Sequence, residues 1–243
     1  SVEVLSGTLG GDGLSNFSSF YQNASITVAP SATLAHCYPA RVEGTLSATG
    51  GGSIRVAELR GYGAGGDVDM PSGMLVMQSG ACAGYTSTGI NGVDAPLNIR
   101  GAIQNEASGD FNVYGSVSAS PGAQFRMTNQ RSLVVHSGAS FRAVGTPAAP
   151  VLFQGAVVAP AIGVWRDIRV LFGGTAELED CVIRDGSNPG VNAAIYNPGG
   201  ILRIERCRLD GPGIGLYSIG DTQLRGNRFA RGTDGNQLGN GSV

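Results

Sequence analysis

The sequence predicts an all-β chain built as a stack of parallel strands, and three observations carry that prediction. Glycine supplies 40 of the 243 residues while charged residues make up only 14%, a balance that suits turn-rich β structure and not helices with charged faces. An apolar-x-apolar-x-Gly unit returns every 14 to 16 residues through the middle of the chain. A Cys/Cys/Asn column flanked by matching apolar pairs repeats in the last third.

Composition also removes whole classes of function. All 16 basic residues are Arg and none is Lys, which excludes Schiff-base, P-loop and Ser-Lys chemistry. A net charge of -2 gives no general field for nucleic acid or an anionic membrane, so neither is an expected partner. No run of 18 apolar residues occurs, so no membrane insertion of this segment is expected. The start, Ser1-Val-Glu-Val-Leu-Ser-Gly7, lacks the basic and apolar regions of a signal peptide, and export is argued from composition alone.

Taken in order, residues 1–23 are unrepetitive and carry Phe17, Phe20 and Tyr21, and they form a candidate N-terminal cap. A single solenoid domain then spans 24–243, with short coils to about 150 and longer, looped coils from about 151. The short unit appears as Leu97-Asn-Ile-Arg-Gly101, Phe111-Asn-Val-Tyr-Gly115, Phe125-Arg-Met-Thr-Asn129 and Phe141-Arg-Ala-Val-Gly145. Period-two alternation closed by Gly or Asn is a strand ending in a turn that tolerates positive φ, and so fast a return leaves no room for a helix. A second element, Ile26 to Leu34, Val117 to Phe125 and Leu133 to Phe141, places a two-residue corner before Ala32, Ala123 or Ala139. Met74 to Cys82 is a looser copy.

In the last third Leu178-Glu-Asp-Cys181-Val-Ile183 aligns with Ile204-Glu-Arg-Cys207-Arg-Leu209 and with Leu224-Arg-Gly-Asn227-Arg-Phe229. Residues that recur once per coil lie about 4.8 Å apart. That register sets Glu177 beneath Arg203, Asp180 beneath Arg206, Arg184 beneath Asp210 and Glu205 beneath Arg225, with Glu179 beneath Glu205 the one repulsive step. Asn227 ends the column, where its amide is expected to satisfy main-chain groups. The polar, glycine-rich end after Arg231 is too weak to cap a solenoid, so that end is expected to continue into further chain or to meet another subunit.

Phe141-Arg-Ala-Val-Gly-Thr-Pro-Ala-Ala-Pro-Val-Leu-Phe153, Gly163-Val-Trp165-Arg-Asp-Ile168 and Leu178-Glu-Asp-Cys181-Val-Ile183 resemble coils of the right-handed parallel β-helix. This is the pectin-lyase-like solenoid, and the segments are similar to adhesin-like and autotransporter-like passengers of bacterial secreted and surface proteins. The likeness covers 115–231 well and 24–60 more weakly. It implies a right-handed fold and an extracellular or cell-surface location, but no particular activity, because the same solenoid carries lyases, hydrolases, adhesins and stalks.

The catalytic patterns of the enzymes on this fold are absent: there is no R-x-P-x-x-R, no N-T-D, no G-H-G, and Arg203-Ile-Glu205 only grazes R-I-K. The leading expectation is a non-catalytic exported β-solenoid with an adhesive, receptor-binding or structural role and no cofactor. Its alternative is a polysaccharide-binding or polysaccharide-cleaving enzyme on the same fold. Its partners would be a polysaccharide or another surface protein, with end-to-end or side-by-side self-association. Candidate ligand residues are Arg208 and Arg228, a stacked pair without an evident carboxylate partner suited to an anion, and Tyr196 and Tyr217, an aromatic column on which a sugar ring could rest. Asp67 and Asp69 share one strand face beside the loop-like Gly61 to Gly66 and are the candidate metal or acid/base pair. His136 falls at a corner expected to be exposed, and His36 and Cys37 point apart. The four cysteines Cys37, Cys82, Cys181 and Cys207 lack zinc spacing. They are candidate disulfide partners, with Cys181 and Cys207 stacked in adjacent coils either as a bond or as buried thiols.

Overall fold

Strands of alternating polarity bury one face only, so a chain made almost entirely of them must wrap a common core. In the computed structural model it does so as a right-handed parallel β-helix, with two long all-parallel sheets and no helix among the described residues. The structure describes residues 2–4, 8–9, 19–20, 25–36, 40–71, 74–77, 88–105, 109–128, 130–156, 163–187, 190, 193–210, 214–230 and 237–238.

Three faces surround the core. The strands Ala40–Thr49, Glu58–Asp69, Thr88–Ile99 and Phe111–Ala119 each run along the first and second faces, bending between them. Beyond Phe111–Ala119 that sheet forks. Leu133–Val135, Ile168–Val170, Ala193–Asn197, Ile214–Ser218 and Gln237–Leu238 continue the first face, while Ser140–Val144, Thr175–Glu179, Ile201–Glu205 and Asp221–Arg225 continue the second. The third face is a separate ten-stranded sheet running from Thr8–Leu9 to Arg228–Ala230.

One inward column of the third face displays the repeat: Leu34, Ile54, Leu75, Ile103, Phe125, Phe153, Ile183, Leu209 and Phe229 stand in register. Successive members are 20 to 30 residues apart, and all but Phe229 are buried. The 14 to 16-residue unit is therefore not a coil. Phe111 lies on the first face, Leu97 and Phe141 on the second and Phe125 on the third, so that spacing measures the step from one face to another. Along this column 22 residues separate Ile103 from Phe125, 28 separate Phe125 from Phe153, 30 separate Phe153 from Ile183, 26 separate Ile183 from Leu209 and 20 separate Leu209 from Phe229. The corner alanines divide likewise. Ala32 and Ala123 both follow the turn from the second face to the third, whereas Ala139 follows the turn from the first to the second.

The aligned last third stands in the expected register. Ala143, Leu178, Ile204 and Leu224 pair in sequence along the second face, with Glu177 against Arg203 and Glu205 against Arg225. Cys181 begins one third-face strand and Cys207 immediately precedes the next; both are 1% exposed and remain free thiols, and the Cys181 amide meets the Cys207 sulfur at 3.4 Å. Their mutual hydrogen bond and burial push the Cys181 thiol upward. Asn227 closes the column, accepting the Cys207 amide at 2.8 Å and donating to the Ile204 carbonyl at 2.7 Å. Cys37 and Cys82 lie outside the described residues.

Large side chains fill the middle of the core. Phe125 stacks on Phe153 at 5.1 Å and meets Phe111 and Phe141 edge-on at 6.2 and 5.6 Å, the offset and T-shaped arrangements that ring quadrupoles favour. Trp165 is fully buried and donates its indole N–H to the Arg184 carbonyl at 2.7 Å. At the N-terminal end Val2–Val4, Thr8–Leu9 and Ser19–Phe20 pair with the strands that follow and so extend all three faces. The remaining residues of 1–23, Phe17 and Tyr21 included, lie outside the described residues.

Candidate functional site

On the first face one outward column passes through Asn112, Val134, Arg169, Tyr196 and Tyr217. Parallel pairing in register is what stacks them. The two tyrosine rings are 5.8 Å apart and tilted by 54°, and the Arg169 guanidinium lies 5.5 Å from the Tyr196 centroid, within the range of a cation–π contact. Arg169 also reaches the buried Asp167 carboxylate at 3.4 Å. Both tyrosines are half-buried, which leaves part of each ring to solvent. The expected aromatic column is thus formed, with Arg169 as a member that the tyrosine repeat alone does not reveal. Its signal was present in Ile168-Arg-Val170, another apolar-x-apolar strand.

Beside this column the corner between the first and second faces exposes apolar side chains: Phe172 is 82% exposed, Ile219 50% and Ile201 43%. Large apolar groups left in water next to stacked rings mark a surface suited to contact.

Further along the same face Tyr114 stacks on His136 at 4.5 Å. His136 is half-buried by that ring and not free at a corner. The Asn112 amide nitrogen donates to the Asp110 carbonyl at 3.1 Å, which turns its oxygen toward His136 Nε2 at 2.7 Å, so Nε2 carries the imidazole proton. Burial pulls the His136 pKa below its ordinary value, and the charge of Asp110 opposes that shift.

Arg208 and Arg228 are stacked as expected, but on the third face and not beside the tyrosines. Arg208 has a carboxylate partner after all: it pairs with Asp210, two residues along the same strand and hence on the same side. That ion pair removes the basis for reading the two arginines as an anion grip.

Asp67 and Asp69 do share one side of a strand, since the Gly61 to Gly66 segment is part of Glu58–Asp69 and not a loop. The strand bulges there, and the backbone of the next coil fits against it: a Cβ on Gly61 would lie 1.8 Å from the Ala95 carbonyl oxygen. Asp67 accepts from Asn98 at 2.8 Å and from Arg100 at 3.0 Å, and no group of three or more metal-ligating side chains occurs among the described residues. The repulsive step between Glu179 and Glu205 is bridged by Arg206, which contacts Glu179, Asp180 and Glu205, and these acids raise its pKa.

Two buried acids escaped the sequence reading, Asp167, which pairs with Arg169, and Asp185. Asp185 is 9% exposed, adopts φ 65 and accepts the Gly155 amide at 3.3 Å. Burial raises its pKa, the Gly155 amide and Arg184 pull it down, and Asp210 adds to the rise. Protonated Asp185 therefore contributes stability that is complete below the ordinary carboxylate value and is lost as pH rises through the higher folded value. Asp185→Asn keeps an acceptor and tolerates the left-handed backbone. Urea unfolding at pH 4 and pH 7 should show the variant losing less stability on going to pH 7 than the parent; an equal loss in both would refute a raised pKa at Asp185.

No known family model, curated protein or solved structure matches the chain.

Proposed function

We propose that the protein is a non-catalytic, exported or cell-surface β-solenoid that adheres to a polysaccharide through the first face. The observation that carries this reading is the stacked Arg169–Tyr196–Tyr217 column, open to solvent beside the exposed Phe172. Aromatic faces recognise the C–H-rich faces of sugars, and rings repeating at the spacing of a sheet suit a polymer better than a single small ligand.

The resemblance to pectin-lyase-like and adhesin-like solenoids fits an extracellular setting. The disposition of the acids favours binding over cleavage. Asp67 is held by Asn98 and Arg100, Glu177 by Arg142, Glu179, Asp180 and Glu205 by Arg206, and Asp210 by Arg208. Carboxylates engaged in this way do not supply the differently tuned acid and base that glycoside cleavage needs.

The test is a glycan-binding screen with the intact chain, followed by titration of any ligand against Tyr196→Ala and Tyr217→Ala. Each substitution should weaken binding roughly tenfold without changing the melting temperature appreciably. Unchanged affinity in both variants, or release of reducing or unsaturated ends from the bound glycan, would refute the proposal.

A further inference from the structure

Arg131 and Arg166 stand at the corner where the third face turns into the first, in equivalent places in successive coils. The Arg166 amide donates to the Arg131 carbonyl at 2.9 Å, and Leu133 and Ile168, two residues beyond each, are in register. Both arginines are half-buried, and the Nε of each is shut off from solvent without a hydrogen-bond partner. Among the described residues neither guanidinium takes part in an ion pair.

The Nε of Arg126 and of Arg169 is likewise shut off without a partner, but Arg126 reaches Gln124 and Arg169 reaches Asp167 through another guanidinium nitrogen, while Arg206 has three carboxylates and Arg208 has Asp210. The acids nearest in sequence have contacts of their own: Asp110 accepts the Ser132 amide at 2.9 Å, and Asp167 accepts from Arg169 at 3.4 Å. Ser132 is fully buried, and its Oγ also lacks a partner.

Two guanidinium groups one coil apart repel each other, and a desolvated donor without an acceptor is costly. A planar or tetrahedral oxyanion relieves both, because it neutralises the pair and accepts N–H bonds from each fork. We infer that Arg131 and Arg166 form an oxyanion site, and that it takes the carboxylate or sulfate group of an acidic glycan. Arg166 lies three residues before Arg169, which stacks on Tyr196, so the site borders the aromatic column. The choice of a glycan as the source of the anion rests on the function proposed above, whereas the oxyanion site itself does not.

The test compares the intact protein with the double variant Arg131→Gln/Arg166→Gln, and with Arg131→Lys/Arg166→Lys, which keeps the charge but loses the fork. Arg203→Gln, at an exposed arginine of the second face, serves as control. The probes are inorganic sulfate against chloride at constant ionic strength, heparin, polygalacturonate and a neutral glucan. Sulfate should raise the melting temperature of the parent and the control. The Gln pair should show no sulfate shift and a melting temperature in chloride no lower than the parent's, and the Lys pair an intermediate response. Heparin or polygalacturonate should bind at least tenfold tighter than glucan, and that preference should vanish in the Gln pair. An equal sulfate shift in parent and Gln pair would overturn the oxyanion site. A sulfate shift that depends on the two arginines, without binding of either acidic glycan, would overturn the glycan as the anion's source and leave the oxyanion site standing.

Discussion

Phe125→Ala is expected to lower the free energy of unfolding by about 3–5 kcal/mol. The side chain is 1% exposed and lies within 6.2 Å of three other phenylalanine rings, counted between centroids. Those rings come from all three faces, so no single strand can move in to fill the space. Removing Phe125 thus loses the transfer free energy of a benzyl group and leaves a cavity where the faces meet. Equilibrium denaturation in guanidinium chloride measures the loss. A change below about 1 kcal/mol, the size of an ordinary surface substitution, would mean that the four rings do not form one packed cluster.

A comparable loss, about 3 kcal/mol or more, is expected of Gly115→Ala from a backbone cause. Gly115 has φ 63, and a Cβ there would lie 2.2 Å from the Gly92 carbonyl carbon and the Val93 nitrogen in the neighbouring coil. Backbone is not the flexible end of a side chain, so the coils must separate to admit a methyl group. Gly138 is the internal control. Its φ of 74 is as left-handed, yet nothing lies within 4 Å of its Cβ position, so Gly138→Ala should cost only the conformational term of about 1–2 kcal/mol. The difference between the two melting temperatures isolates the close approach of the coils at Gly115. Equal losses would show that the bends between first and second faces do not nest.

The last third was legible because its inward column carries chemistry as well as hydrophobicity. Cys181, Cys207 and Asn227 are distinctive, and the charges around them align in only one register. The middle was legible as strands but not as coils. Every strand of a coil presents the same apolar-x-apolar pattern to the core, and a period of two carries no label for the face, so Phe111, Phe125 and Phe141 read as one column although each belongs to a different face. Bulges added to the uncertainty: between Gly92 and Leu97 the chain spends three more residues than its partner does between Gly115 and Val117. Such insertions change coil length without changing the inward pattern.

The candidate site divided along similar lines. Tyr196 and Tyr217 were readable because Ala194-Ile-Tyr196 and Gly215-Leu-Tyr217 repeat on the same face. The partner of Arg208 was equally readable, since Asp210 stands two residues away on a strand; a search for partners between coils passes over that within-strand pair. Arg131 and Arg166 sit in corners, where alternation gives no guidance. The faint signal is the likeness of Arg131-Ser-Leu133 to Arg166-Asp-Ile168, which becomes visible once the two strands are known to be adjacent.

The claim beneath all of this is that residues 20 to 30 apart, and not 14 to 16 apart, are stacked on one another. Methyl-labelled nuclear Overhauser spectroscopy tests it most directly. The fold predicts contacts from Leu34 to Ile54, from Ile54 to Leu75, from Leu75 to Ile103 and from Ile183 to Leu209. Absence of these contacts, or contacts between consecutive strands in an antiparallel, hairpin pattern, would contradict the solenoid and the aromatic column built upon it.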